Sequence, residues 1–431
     1  MTEATSATPA PDALAGVLAD APFVRLVATD DGDALAATGL LARALRAAGT
    51  PFQARVDPDP VPDDVDGGVA VTVGVDRGRH AIPGTGRPAS TAAFAVARAL
   101  GVEPDPVVAL AGVVAAGSIP GADGSGDALE AAERADRVER RPGVALPVAG
   151  EGDPDAAAAS TGADTDPSRA EALAASTLVS TRYSGDPAAA RDALAPLGLP
   201  AGLDADDRRR FASLVAVDAA DGDGAGDRAA SSAERVLRPY ATDGPFETVG
   251  GYADVLDALA REAPGTGIAL ALATDPDESL RTAALDAWRR HGLAAHSALE
   301  AATIGRYDGC VVARVDAAAV DAEPSVLPTV ARLVRDFRSP EPVAVAVDES
   351  VGRLAAAGTG GRRAVGDAAT GGGHTGDDAA TEPVGLGNAC RTAAGEVGAN
   401  GWGTVVRGAI AVDDSDGDGL TRALAALREA I

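Results

Sequence analysis

The chain has 431 residues and a formal net charge of −27, and this length allows two or three domains with a substantial core. All 37 basic residues are arginine and only 3% of the residues are aromatic, so alanine, valine and leucine must fill the core. No run of 18 apolar residues occurs and the N-terminal segment has no signal-peptide pattern, so we predict a cytoplasmic protein without a membrane span.

The excess of carboxylates has two interpretations. A strongly acidic surface usually disfavours a polyanionic partner. An acidic chain that lacks lysine and is rich in alanine, aspartate and arginine is also typical of halophiles that accumulate salt. In molar salt the Debye length is about 3 Å, so the net charge would then carry no information on nucleic-acid binding. We favour this second interpretation.

The first 145 residues alternate between strand and helix patterns. Apolar runs at 23–28 and 68–75 predict buried strands, and the apolar stripe over 35–48 predicts a helix between them. Two apolar helices are predicted at 90–101 and 107–118. Alternation of this kind predicts an α/β domain over 1–145, built on a parallel sheet.

The rest of the chain divides into a connector and a second α/β unit. Residues 146–264 are predicted to form an acidic linker followed by helices, with a flexible stretch at 151–168. Residues 265–431 alternate again, and the segment 355–385 is a low-complexity loop within them. The predicted strands of this unit include 267–274, 308–317 and 342–348, and the predicted helices are 277–293, 326–337 and 419–431.

Asp31 and Asp33 follow the first predicted strand, at the edge where α/β sheets bind ligands. Two carboxylates one residue apart can both point at one hard cation or at a pair of cations. An Asp-Gly-Asp sequence can equally cap the helix that follows it. The spacing alone leaves both interpretations open.

The stretch TDDGDALAATGLLARAL, residues 29–45, resembles the first motif of the DHH phosphoesterase superfamily, which includes the RecJ-type single-strand nucleases. That motif reads His-x-Asp-x-Asp-Gly. Asp31 and Asp33 match its two aspartates, whereas Thr29 replaces the histidine and Ala34 replaces the glycine. Segments that resemble later parts of the family follow in family order, at 89–101, 110–121, 246–272 and 386–412.

The resemblance covers nearly the whole chain and implies a two-lobed α/β fold. Its parts would be an N-terminal parallel-sheet DHH-like domain, a helical connector and a C-terminal α/β DHH-associated domain. It also implies a phosphoesterase whose carboxylates and histidines hold two metal ions, usually manganese.

Several of the metal-binding motifs depart from the family pattern. The Asp-His-His signature is absent, and Ala116 stands where the fourth-motif aspartate belongs. Asp76 could replace the second-motif aspartate, with His80 four residues beyond it, or both could belong to a polar turn. We therefore predict at most a weak Mn²⁺ or Mg²⁺ site at Asp31, Asp33 and Asp76.

The family's C-terminal domain carries a Gly-Gly-Gly-His motif that holds nucleic-acid phosphate, and two segments compete for this role. Residues 371–374 have these letters, but Asp377 and Asp378 follow closely, so we interpret His374 as part of a low-complexity loop. The segment 386–412 fits the family's helix, glycine loop and strand better. The nucleic-acid-binding residues that it implies are Gly401, Trp402, Gly403, Thr404, Arg407 and Gly408.

The remaining polar residues have simpler interpretations. Trp402 could stack on a base or close the core of its domain. We predict that His291 lies near a helix C-cap, that His296 lies on the surface, and that 207–211 is a solvated helix face. The two cysteines, Cys310 and Cys390, are too few to define a metal site.

The resemblance leaves two main functions open. The first is a catalytically degenerate RecJ-like protein that binds single-stranded DNA or RNA, or serves as a scaffold in replication or repair. Inactive RecJ relatives accompany the GINS complex and the replicative helicase in archaea and eukaryotes. The second is an active manganese-dependent 5′–3′ single-strand exonuclease or nucleotide phosphodiesterase. A nucleotide-sensing or purely structural module is the third possibility.

Overall fold

The structure is a computed structural model, and it describes residues 10–61, 67–148, 167–200, 202–220, 227–316, 323–359, 385–413 and 418–431. The predicted flexible stretch at 151–168 lies almost wholly outside these ranges. Most of the low-complexity loop, including His374, also lies outside them.

The N-terminal lobe contains a four-stranded sheet in which every pairing is parallel. The strand order is β2-β1-β3-β4, and Val24 of the central strand pairs with both Phe52 and Val69. The strands are β1 (Val24–Ala28), β2 (Phe52–Val56), β3 (Val69–Gly74) and β4 (Ala81–Pro83). The helices are α1 (Pro11–Asp20), α2 (Gly32–Ala48), α3 (Ala89–Ala99), α4 (Pro106–Ala115) and α5 (Gly126–Arg134). The parallel sheet predicted from the alternating pattern is confirmed.

Helix α2 is almost entirely buried, because small residues let its neighbours approach closely. A Cβ atom added at Gly39 would lie 2.5 Å from the Cβ of Ala271. The helix ends at Gly49, whose φ of +73° is the left-handed conformation that favours glycine. Alanine and glycine thus build this core in place of aromatic side chains.

Between the two sheets the chain is mostly helical, and β5 (Val138–Arg140) pairs antiparallel with β6 (Tyr240–Thr242) in a short ladder. The helices of this connector are α6 (Pro167–Ala175), α7 (Pro187–Leu194), α8 (Ala205–Ala220), α9 (Asp227–Val236), α10 (Val249–Glu262), α11 (Pro264–Leu272) and α12 (Glu278–Ala301). The last two lie in the range that the sequence analysis assigned to the C-terminal unit. Trp288 of α12 donates from its indole Nε1 to Asp254 of α10 at 3.0 Å, in the core that these helices share with the N-terminal lobe.

The C-terminal lobe is built on a mixed six-stranded sheet of order β11-β12-β10-β9-β8-β7. Helix α13 (Leu327–Leu333) and the π-turn Val334–Arg338 cover one face, and α14 (Leu386–Val397) and α15 (Gly419–Ala430) cover the other. The strands are β7 (Thr303–Tyr307), β8 (Cys310–Val315), β9 (Val343–Asp348), β10 (Arg353–Gly358), β11 (Asn400–Gly403) and β12 (Arg407–Ala411). Among the described strands of this sheet, only the pairing of β8 with β9 is parallel.

Two predicted elements are wrong. The run 267–274, predicted as a strand, belongs largely to helix α11, which Pro264 begins. A short, wholly apolar run fits a buried strand and a buried helix equally well, so periodicity could not decide between them. The glycine loop expected around residue 401 is strand β11, at the edge of the C-terminal sheet.

In the part of the chain that the structure describes, no helix has the length and apolar character needed to cross a membrane.

Candidate functional site between the lobes

Asp31 caps helix α2, which confirms the capping interpretation of its position. Its Oδ1 accepts a hydrogen bond from the backbone N–H of Ala34 at 2.9 Å. Its Oδ2 accepts from the hydroxyl of Thr29 at 2.6 Å. Thr29, which stands where the family has histidine, therefore positions this carboxylate through a hydrogen bond.

Asp33 turns toward the start of helix α3, where both of its carboxylate oxygens accept backbone hydrogen bonds. Oδ2 accepts from Ala89 N–H at 2.6 Å, and Oδ1 accepts from Ser90 N–H at 2.9 Å. Burial, and then the nearby charge of Asp31, raise the pKa of Asp33 to about 7 against these hydrogen bonds. Asp33 thus joins α2 to α3.

A third carboxylate, Asp257, completes the acidic cluster from helix α10. Its Oδ1 accepts the backbone N–H of Gly32 at 3.1 Å, and its Oδ2 lies 2.8 Å from Nη1 of Arg261. Burial alone would raise the pKa of Asp257, but the guanidinium of Arg261 holds it well below its usual value. The sequence analysis did not single out this pair, although its i,i+4 spacing on a predicted helix is a recognisable signal.

Arg407 brings the C-terminal lobe to the same cluster. Its Nη2 lies 3.3 Å from Oδ2 of Asp31, and its side chain is 32% exposed. The two predicted site regions, 376 positions apart in the chain, therefore meet in space.

Asp76 lies apart from this arrangement. It is exposed in the loop after β3, and His80, four residues further on, is half-buried. Burial, helped by the charge of Arg79, lowers the pKa of His80. Among the described residues, no group of three or more histidine, cysteine, aspartate or glutamate side chains is arranged to hold a metal ion.

The residues present do not fit a pair of divalent cations. The oxygens of Asp31 and Asp33 already accept hydrogen bonds from inside the chain, and a guanidinium stands beside Asp31. Ala116, at the fourth-motif position, brings no carboxylate to the adjoining cavity.

The predicted glycines of β11 and β12 have a packing role. A Cβ atom at Gly401 would collide with the carbonyl of Cys390, and one at Gly408 would collide with the Cys390 sulfur. Gly403 has a φ of +140°, which side-chain-bearing residues rarely adopt. Close approach of α14 to the sheet thus explains the glycines without a ligand.

Trp402 and Arg407 lie on the other face of the same sheet. Trp402 is directly opposite Ala409, and Arg407 is two residues before Ala409 on β12, so strand alternation puts all three on one face. Trp402 is half-buried there. The nearby Thr404 has a buried hydroxyl with no hydrogen-bond partner among the described residues.

A cavity of ≈ 100 Å³ lies beside this cluster, between the connector, α4 and the C-terminal lobe. Five arginines line it, together with three aspartates. The arginines are Arg235, Arg261, Arg332, Arg335 and Arg407, and the aspartates are Asp254, Asp257 and Asp336.

Both histidine predictions are wrong. His291 and His296 are 1% and 3% exposed, in the interior of the 24-residue helix α12. His291 bonds to Glu262 at 3.0 Å and Thr329 at 2.8 Å, and His296 bonds to the Ser176 carbonyl at 2.8 Å. The apolar stripe continued past residue 293, which the helix prediction had missed. In the 207–211 segment, Arg209 and Arg210 are exposed whereas Phe211 is buried.

Residues 302–429 match the family model described as "Uncharacterized protein rrnAC1427, C-terminal domain". Uncharacterized protein rrnAC1427 from Haloarcula marismortui is 45% identical over 367 residues, which cover 84% of this chain and 87% of that protein. The chain belongs to the rrnAC1427 family.

Two solved structures are similar to this chain in fold. CDC45 from Entamoeba histolytica is similar with a TM-score of 0.53 at 10% identity, over 97% of this chain and 98% of that chain. RecJ from Thermus thermophilus, in complex with Mg²⁺, has a TM-score of 0.46 at 14% identity. That match covers 97% of this chain but 52% of RecJ, so the chain spans about half of that protein's length. The chain thus shares its fold with this CDC45, and the predicted two-lobed α/β class, with a parallel sheet in the N-terminal lobe, is confirmed.

Proposed function

We propose that this chain is a catalytically degenerate RecJ-like protein of DNA replication or repair. It binds single-stranded DNA or RNA between its lobes, in the cytoplasm, and does not hydrolyse it. The motif resemblance is the basis for the nucleic-acid ligand and for GINS or replicative-helicase components as partners.

The contact between Arg407 and Asp31 carries the proposal that catalysis is lost. A guanidinium 3.3 Å from Asp31 neutralises the carboxylate that would attract a metal ion, and it repels a divalent cation at the same place. Two backbone N–H groups at the start of α3 donate to Asp33, so its carboxylate could bind a metal ion only by giving up these hydrogen bonds. A two-metal phosphoesterase needs several free ligands, and these carboxylates are already engaged.

The side chains on the sheet face that carries Arg407 support the proposal that the chain still binds a single strand. Its partly exposed guanidinium suits a phosphate oxygen, and the half-buried Trp402 offers an aromatic surface for a base. These side chains bind backbone and base surfaces without reading a sequence.

The first experiment is fluorescence anisotropy of a labelled single strand in molar KCl, where an acidic protein of this composition is expected to stay folded. We expect Trp402→Ala to weaken binding about tenfold, because one stacked base is lost. Arg407→Gln should weaken binding and reduce the salt dependence by about one counterion. Arg134→Gln is the matched control, since Arg134 is an exposed arginine whose recorded partner is Glu130 on the same helix.

Two results would contradict the binding proposal. One is the absence of strand binding by the folded wild-type protein over the whole salt range. The other is equal affinity of the wild type and both site variants, which would move any binding elsewhere on the surface.

A further inference from the structure

A second cavity, of ≈ 140 Å³, lies at the other end of helix α4 from the inter-lobe cavity. Val107 and Val108 at the start of α4 line it, whereas Val114 and Ala115 at the end of α4 line the inter-lobe cavity. The rise of an α-helix separates Val108 from Val114 by about 9 Å along its axis. The second cavity is thus distinct from the carboxylate cluster and from the strand-binding face proposed above.

The lining of this cavity carries balanced charge. Its side chains come from α2, α10 and α12 and from the loops that precede α4 and β5 and follow β6 and α11. The three arginines are Arg43, Arg137 and Arg281, and the three aspartates are Asp105, Asp243 and Asp275. A site with equal numbers of guanidinium and carboxylate groups complements a ligand that carries both charges better than a simple anion or cation.

Four of the six charged side chains pair with one another. Nη1 of Arg43 lies 2.9 Å from Oδ2 of Asp105, and Arg137 donates to Asp243. Nη2 of Arg43 also donates to the Ala273 carbonyl. The cavity wall therefore keeps its own charges satisfied in pairs, and a ligand must use the groups that remain.

Two buried donors in the wall lack a good acceptor. Nε of Arg43 is buried and has no hydrogen-bond partner in the described structure. The hydroxyl of Tyr252, a residue 1% exposed, has only a long contact of 3.5 Å to the Leu270 carbonyl. Burial raises the pKa of Tyr252, so this hydroxyl keeps its proton and stays a donor. Buried donors without a partner are uncommon, because leaving them unpaired is unfavourable.

A free acceptor lies at the rim of the same cavity. Asp275 is exposed in the loop between α11 and α12, and it forms no hydrogen bond or ion pair with another described residue. Donors in the buried wall and a carboxylate at the rim define a direction. A dipolar ligand would enter with its negative end first and leave its positive end at Asp275.

We propose that this cavity binds a small zwitterion of the α-amino acid type, with its carboxylate on Arg43 and Tyr252 and its ammonium group on Asp275. Hydrogen bonds between oppositely charged groups are the strong ones, and a guanidinium matches a carboxylate in geometry. An apolar cavity of about 150 Å³ binds benzene, and alanine has the same number of non-hydrogen atoms, so ≈ 140 Å³ suits it.

The ligand would join the N-terminal lobe to the connector. Arg43 belongs to α2, Tyr252 to α10, and Asp275 to the loop before α12. The site goes beyond the proposed strand binding, since neither Trp402 nor Arg407 lines this cavity.

The test is isothermal titration calorimetry of the full chain with L-alanine in molar KCl. We expect saturable binding of one alanine per chain. Tyr252→Phe and Asp275→Asn should each weaken binding about tenfold, because each removes one hydrogen bond to a charged group. Asp192→Asn is the matched control and should bind like the wild type, since Asp192 is an exposed aspartate of α7 outside the cavity lining.

Analogues of alanine make each outcome decisive. Alaninamide lacks the carboxylate and N-acetylalanine lacks the ammonium group, so both should bind at least about tenfold more weakly than alanine. Equal binding of either analogue overturns the proposal, because the site would then take a simple cation or a simple anion. Absence of saturable alanine binding overturns it as well.

The two variants cover different parts of the fold. Asp275 is exposed, so Asp275→Asn keeps the test valid if Tyr252→Phe does not fold. Alanine binding with wild-type affinity in the folded variants would place the ligand elsewhere and overturn the assignment. Strand binding is read separately by anisotropy, so either proposal can fail without the other.

Discussion

At the scale of single residues, Asp31 and Asp33 show how far a motif predicts its site. The sequence places both correctly after β1, and the structure adds what occupies their oxygens. The i,i+4 spacing of Asp257 and Arg261 is visible in the sequence, but the hydrogen bond of Asp257 to Gly32 is not, because it joins residues 225 positions apart. Its role appears only when α10 packs against α2.

His296 gives a pH-dependent contribution to stability. Burial lowers the pKa of His296 to about 4, whereas an unfolded histidine titrates near 6.5. The unfolded chain therefore takes up a proton as the pH falls below 6.5, and the folded chain does not until about pH 4. The free energy of unfolding therefore falls as the pH drops from 6.5 toward 4, and the loss due to His296 is about 2 kcal/mol at pH 5.

Replacing His296 with glutamine tests this contribution, because the amide can still donate to the Ser176 carbonyl. Denaturant unfolding gives the free energy of unfolding of both proteins at pH 7 and at pH 5. Between these two pH values the variant should lose about 2 kcal/mol less than the wild type. The many carboxylates titrate in both proteins and cancel in the comparison. Equal losses would mean that His296 is not the group responsible.

At the scale of elements, helix α14 can pack closely on β11 and β12 because glycines there have no side chain. The sequence analysis interpreted Gly401 and Gly408 as ligand-binding residues, since a glycine-rich segment can serve either close packing or ligand binding. Only the helix position shows that Cys390 occupies the space above both. The prediction that these glycines bind nucleic acid stays a prediction.

Gly408→Ala separates the packing role from a binding role. The added Cβ would meet the Cys390 sulfur and the Leu386 carbonyl, so we expect a loss of about 1–3 kcal/mol in unfolding free energy. Gly395→Ala on the same helix α14 is the control, since nothing lies within 4 Å of a Cβ there. That change should stabilise the protein by up to about 1 kcal/mol. Similar effects of the two substitutions in denaturant unfolding would contradict the packing account.

The elements that were predicted well share a clear physical signal. The run 23–28 became β1 and the stripe 35–48 became most of α2, because long or bounded apolar patterns have a single period. Residues 267–274 lacked such a pattern, and tertiary contacts decided their conformation. Gly267 illustrates this, since a Cβ there would lie 2.5 Å from the side chain of Leu35.

At the scale of the whole molecule, arginines connect the lobes largely through neutral oxygens. Arg228 of the connector donates to the carbonyls of Arg335, Glu341 and Pro340 at 2.7 to 3.0 Å. Hydrogen bonds to carbonyls are weakened less by salt than exposed ion pairs are. The lobes can therefore stay joined in the high salt that the acidic composition suggests.

The same arrangement places opposite charges side by side between the lobes. Arg407 lies 3.3 Å from Asp31, and the adjoining cavity is lined by Arg407, four more arginines and three aspartates. We propose that the carboxylates of Asp31 and Asp33 are engaged within the chain and no longer bind metal ions. This loss of metal binding is the central claim of the account.

The most direct test is hydrolysis of a labelled single strand by the full chain in molar KCl with millimolar Mn²⁺. Protein carrying both Asp31→Ala and Asp33→Ala is the control for contaminating nucleases. We predict no cleavage above that control, while anisotropy shows the strand bound. Cleavage by the wild type that the double variant lacks would contradict the account, because it would require a working metal site at these carboxylates.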